Sequence, residues 1–242
     1  MEMHPITWVS LIPGIRELPA HTVHATLVML LLVAFAFIAN RQLAAARAAG
    51  TALVPDSRLS VRNLAELLVE QIRSITTGVL GEAGHRYVPL FGSFFIFILI
   101  ANLMGLVPGF APPTSDFNVT FGLGVASFLA YNAIGIRANG LVDYLKHFVG
   151  PIWWLAVLMV PLELIDNLVR PVSLALRLFG NMTGDHLVLE IFTDLTKLVV
   201  PVVFYMLGAF VSLIQAFVFT LLTVIYTSLA IGHAHEHEHA HH

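Results

Sequence analysis

Cysteine is absent from all 242 residues, which excludes disulfides and thiolate metal sites. Charge is scarce too. Asp, Glu, Lys and Arg make up 11% of the chain, where a soluble domain carries about a quarter. With 57% hydrophobic residues, that shortage excludes an ordinary soluble domain and leaves an integral membrane protein of one domain. Neither sign of charge dominates: the formal net charge is -3, which argues neither for nor against a nucleic-acid partner, and none is expected. A basic leader is missing as well. Glu2, Arg16 and Glu17 precede the first apolar run, so no cleaved signal peptide is expected, although "LAAARAAG" after that run imitates a cleavage site.

What is present is a set of long runs without Asp, Glu, Lys or Arg, at residues 18–40, 87–115, 117–136 and 198–232. A helix needs about 20 apolar residues to cross the hydrocarbon, so each run holds a crossing. A further apolar segment, from about residue 148 to 195, is studded with Glu163, Asp166, Arg170, Arg177, Asp185, His186, Glu190 and Asp194. The expectation is an all-α integral membrane protein with about five membrane helices plus one in-plane amphipathic helix. The whole of 1–242 then forms a single membrane domain: a first span at 18–40, an interfacial helix at 58–80, spans at 87–108 and 117–136, a hairpin of 151–195 and 198–232, and a His-rich tail at 233–242.

Arg41, Arg47, Arg58, Arg62, Arg73 and Arg86 all fall between the first and second spans, whereas "GLVPGFAPPTSDFN" between the second and third has no Lys or Arg. The positive-inside rule puts the N-terminus outside and the C-terminus in the cytoplasm. In the interfacial stretch, Val61, Leu64, Ala65, Leu68, Ile72, Ile75 and Val79 share a helical face, with Arg62, Glu66, Glu70 and Arg73 roughly opposite and Asp56 or Ser57 available as cap. Residues 198–232 would make a helix of about 52 Å against a hydrocarbon core of about 30 Å. Two overlong segments in succession suggest long, steeply inclined helices packed along something large and curved.

Wound on one helix, Glu163, Asp166, Arg170, Arg177, Asn181 and Asp185 fall in a sector about 100° wide. Membrane charges need protein or water beside them. Asp166 and Arg170 are spaced i, i+4 as an intrahelical pair, and Asp185 can reach back to Asn181 by the same spacing. Arg177 has Leu174, Ser173, Gly180 and Asn181 at those positions and no acid, so its counter-charge must come from elsewhere, most simply from another chain. His186 and Glu190 form a second i, i+4 pair on the far side, read either as a proton relay or as a water-facing interfacial pair. On the last helix Gly208, Ser212, Gln215, Phe219 and Tyr226 share a face suited to close helix contact.

"RPVSLALRLFGNMTGDH" followed by "SLIQAFVFTLLTVIYTSLA" resembles the a subunit of F-type rotary ATP synthases. The similarity extends back through "PLELIDNLVRP", "SDFNVT" and "NLMGLVP", and so covers most of the chain from about Pro89 onward. The resemblance implies a static, non-catalytic subunit without a cofactor, which provides two half-channels for protons; since no import signal is visible, the expected setting is the bacterial inner membrane. Its implied partners are a ring of c subunits bearing membrane carboxylates, the b-subunit peripheral stalk, membrane lipid and, indirectly, the soluble ATPase head. By the same resemblance Arg177 matches the family's arginine barrier, flanked by Asn181 and Gln215. Glu163 matches an acid of the outer half-channel, and Asp166, Asp185, His186 and Glu190 join the proton pathway. One departure stands out: some members carry a titratable residue seven positions before the glutamine, where this chain has Gly208.

Two rivals come from other classes. A stand-alone channel or secondary transporter would be expected to show internal repeats, and none is visible between the halves. A membrane enzyme with histidine metal ligands would need a cluster. Of His4, His21, His24, His85, His147 and His186, only His21 and His24 are close, and no HExxH-like motif exists. The tail "GHAHEHEHAHH" offers His233, His235, His237 and His239 as metal ligands, against a disordered low-complexity end.

Overall fold

A computed structural model describes residues 19–50, 60–144, 156–195 and 199–238, and among these the chain is all-α. Helix α1 spans Ala20–Ala48. Helix α2, Val61–Leu80, passes through a 3-10 segment, Gly81–Tyr87, into α3, Val88–Met104. A short 3-10 turn, Pro113–Ser115, precedes α4, Phe117–Asn139. Helices α5, Ala156–Leu195, and α6, Val199–Glu238, are each 40 residues long, about 60 Å at 1.5 Å per residue.

Four stretches are long and apolar enough to cross a membrane: Ala20–Ala48, Val61–Met104, Phe117–Asn139 and Pro201–Gly232. The protein is thus a multi-pass membrane protein. Helix α5 misses that class on composition alone, because of the charges from Glu163 to Asp194.

Local chemistry accounts for the helix ends. Ser60 caps α2, its Oγ accepting from the Asn63 N–H at 3.2 Å. Asp56 and Ser57, the caps offered by the sequence, lie outside the described residues. Asp116 caps α4 by accepting from the Asn118 N–H at 2.8 Å. The amphipathic reading of α2 needs one correction. Arg62, assigned to the polar face, is only 3% exposed. Its main-chain N–H donates to Gln42 Oε1 at 2.9 Å, and its guanidinium pairs with Glu66 at 2.6 Å, so the long side chain covers apolar surface while its head stays neutralised. Leu64, assigned to the apolar face, is exposed.

The core lies where α3, α5 and α6 meet. Phe91, Phe94, Phe95 and Ile98 of α3 pack with Leu174, Leu178 and Met182 of α5 and Ala216, Phe219 and Val224 of α6. Lipid tails are as apolar as these side chains, so close fit, more than the hydrophobic effect, selects this arrangement. Gly124 of α4 shows how close the fit is: a Cβ there would stand 2.6 Å from the main-chain oxygen of Pro171. Helix α5 continues through both Pro161 and Pro171 without interruption. Pro171 has no N–H to give to the carbonyl of Asn167 one turn earlier. The Tyr131 hydroxyl on α4 replaces it, donating to Asn167 O at 3.1 Å and to Asn167 Oδ1 at 2.7 Å.

Candidate functional site

The core contact fixes which way α5 turns its polar stripe. Leu174 and Leu178 are fully buried, while Arg177, turned about 60° from Leu174 and 100° from Leu178 around the helix, is exposed. Among the described residues no carboxylate comes within ion-pair distance of the Arg177 guanidinium; the pairs formed are His21 with Asp116, Arg62 with Glu66, and Arg170 with Asp166. An arginine stays protonated, so this charge has to be balanced from beyond the described residues or by water.

One turn further along, Asn181 Nδ2 donates to Gln215 Oε1 on α6 at 2.7 Å. This bond replaces the expected reach of Asp185 back to Asn181. Gln215 is 3% exposed, and its Nε2 has no partner. A buried amide donor without an acceptor costs about 1–3 kcal/mol, so this group is poised for a water or an incoming acceptor. Gly208, Ser212, Gln215 and Phe219 are all buried on one face of α6, as their spacing implied.

Asp185 folds over Gly208. A Cβ on that glycine would lie 2.7 Å from Asp185 Oδ2 and 2.8 Å from Leu106 Cδ2. The absence of a side chain at Gly208 is therefore the room in which the Asp185 carboxylate sits. Nearby, the Thr183 hydroxyl reaches Ser115 O at 3.4 Å, joining this end of α5 to the turn before α4. His186 is half-buried and Glu190 exposed, and no ion pair joins them.

The other end of α5 carries a second polar region. Asp166 and Arg170 form the ion pair that their spacing suggested. The guanidinium also lies over the Tyr226 ring of α6, 5.2 Å from its centroid. Asn167 Nδ2 donates to Asn132 Oδ1 at 3.2 Å, and the Tyr144 hydroxyl donates to the same oxygen at 2.6 Å. Glu163, half-buried, stands at this end. Twenty-two residues separate Glu163 from Asp185, about 33 Å along the axis, and Arg177 lies between them.

Sequence reasoning missed Tyr131, Asn132, Tyr144 and Asn167. Asn167 falls near the edge of the polar sector, and Tyr131 and Asn132 interrupt an otherwise apolar run, so a faint signal existed. The two close histidines do not make a metal pair. His21 Nδ1 meets Asp116 Oδ2 at 2.9 Å, while His24 Nδ1 donates to Ala20 O at 2.6 Å. No group of three or more metal-ligating side chains occurs among the described residues. The tail histidines have no described side chains.

Comparison with known proteins gives one consistent result. Residues 22–228 match the family model described as ATP synthase A chain. ATP synthase subunit a of Bdellovibrio bacteriovorus is 44% identical over 228 residues, 94% of this chain and 98% of that one. ATP synthase subunit a of Trichlorobacter lovleyi is 49% identical over 175 residues, 72% of this chain and 76% of that one. ATP synthase subunit a 1 of Pelobacter propionicus is 39% identical over 241 residues, 96% of this chain and all of that one.

Proposed function

The chain belongs to the ATP synthase A chain family, and from that premise we propose that it is the stationary, proton-conducting half of a rotary motor. It takes part in ATP synthesis and proton transport as one subunit of a larger membrane complex. In our reading a ring of c subunits turns past the exposed face of α5, a b-subunit stalk holds the chain still, and the soluble head is reached only through these partners. The observation that carries this is Arg177: exposed, without a carboxylate of its own chain among the described residues, and flanked by two separate polar regions.

Two aqueous half-channels must approach the ring without joining. A permanent cation between them repels protons and blocks a direct leak. It also attracts a deprotonated ring carboxylate, letting it cross the barrier sector charged; elsewhere that carboxylate faces lipid and must be neutral. Arginine suits the place because it holds its proton where a lysine can lose it. Each proton driven through 100 mV supplies about 2.3 kcal/mol, so several are needed for each ATP.

With the N-terminus outside and the C-terminus in the cytoplasm, α5 runs from inside to outside. Asp185, in the space left by Gly208, then serves the outer half-channel with His186, and Glu190 lies at its mouth. Glu163 belongs to the inner half-channel. The family resemblance alone had put it in the outer one, but an acid about 33 Å from Asp185 on the same helix cannot share that vestibule. Asn181 and Gln215 hold α5 to α6 beside Arg177.

The test is Arg177→Ala in the assembled complex. ATP-driven proton pumping is expected to disappear, while passive proton conduction persists or rises. Normal pumping by that variant would refute the proposal.

A further inference from the structure

The barrier reading needs one cation to meet the ring carboxylate, yet α5 presents two on almost the same line. Arg170 stands seven residues before Arg177, two turns or about 10 Å along the axis and within about 20° in direction. A bare Arg170 would be a second trap for a passing carboxylate, because it too keeps its charge. It is not bare. Asp166 pairs with it, and the acid is the outer member: 59% of its side chain is exposed, against 23% for Arg170. From the other side the Tyr226 ring lies 5.2 Å from the guanidinium carbon.

We propose that Asp166 and Tyr226 silence Arg170, the first cancelling its charge toward the ring face and the second holding the guanidinium back against α6, so that Arg177 alone captures the ring carboxylate. This rests on the reading of Arg177 as the ring-facing cation. Asp166 is then a charge-cancelling residue and not a proton relay. Tyr226 is a positioning residue that acts through Arg170. Two further features support this division of labour. Tyr131 and Asn132 hold Asn167, the residue between Asp166 and Arg170, and so fix the helix turn on which the pair sits. Asp166 also lies on the opposite side of Arg170 from Arg177, so its charge screens the inner cation far more than the outer one.

The experiment compares ATP-driven proton pumping by the assembled complex in inverted vesicles for Asp166→Asn, for Asp166→Asn with Arg170→Gln, and for Arg177→Ala. Asp166→Asn is expected to lower pumping tenfold or more, by unmasking Arg170. Adding Arg170→Gln should bring it back to within about twofold of the unaltered complex. A relay role for Asp166 gives no such rescue. Tyr226→Leu provides an independent arm. It should slow pumping, recover on adding Arg170→Gln, and exceed the defect of Tyr226→Phe, which keeps the ring face. If Asp166→Asn does not assemble with the ring, the Tyr226 arm decides. Unimpaired pumping by Asp166→Asn, or equal defects in the single and double variants, would overturn the inference. With Arg177→Ala inactive, such results remove this inference alone; an active Arg177→Ala removes the barrier reading beneath it.

Discussion

Arg170 and Arg177 share one helix and nearly one face, but their surroundings differ in kind. Arg170 is tucked in, paired with Asp166, and covered by the Tyr226 ring. Arg177 projects from the helix with leucines behind it and no acid of its own chain near it among the described residues. A cation in a membrane protein must be balanced. Where the balance lies within the chain, the residue is a structural part, with a net value of about 1 kcal/mol for such a helical pair and ring contact. Where it does not lie among the described residues, it has to come from beyond them. In our reading, the contrast distinguishes a charge that serves the fold from one that serves a partner.

Several substitutions would break or sharpen that contrast. The largest effect belongs to Arg177→Ala, which removes the unbalanced member and should abolish pumping without lowering the amount of assembled complex. Gly208→Val comes next. The added carbons occupy the place of the Asp185 carboxylate and of Leu106, so proton delivery from the outer side should fall about tenfold, measured as the driving force needed to reach half-maximal synthesis. Smaller is the effect of Glu163→Gln combined with His186→Ala, one change at each end of α5. Pumping should slow several-fold while the Arg177 barrier stays intact, and unchanged flux at saturating potential would count against both residues as relays. The smallest effect on transport is expected from Tyr131→Phe. It leaves the Asn167 carbonyl freed by Pro171 without its donor, a loss of about 1–3 kcal/mol visible as a lower unfolding temperature in detergent.

Much of this was legible in the sequence, for physical reasons. A span of about 20 uncharged residues has one stable solution in lipid, so the apolar helices could be read from composition. The polar stripe could be read because helical period alone aligns Glu163 with Asp185. The Asp166–Arg170 pair followed from its i, i+4 spacing. Contacts between helices were not legible. Asn181 chose Gln215, a residue 34 positions away, over Asp185 four positions away. Gln42 of α1 caps the main-chain N–H of Arg62 on α2, a contact between helices. The Tyr131 hydroxyl finds Asn167 only because Gly124 lets α4 and α5 approach. Each depends on which faces meet, and periodicity within a single segment carries no information about that.

The most direct measurement is the distance from the Arg177 guanidinium to its nearest carboxylate, read from the structure of the complete complex halted in its working state. The expected result is a carboxylate of the neighbouring ring within a few ångströms, or joined to Arg177 through one water, in at least one rotary position. An acid from this same chain seated on Arg177 in every position, with the ring carboxylates remaining distant, would contradict the account.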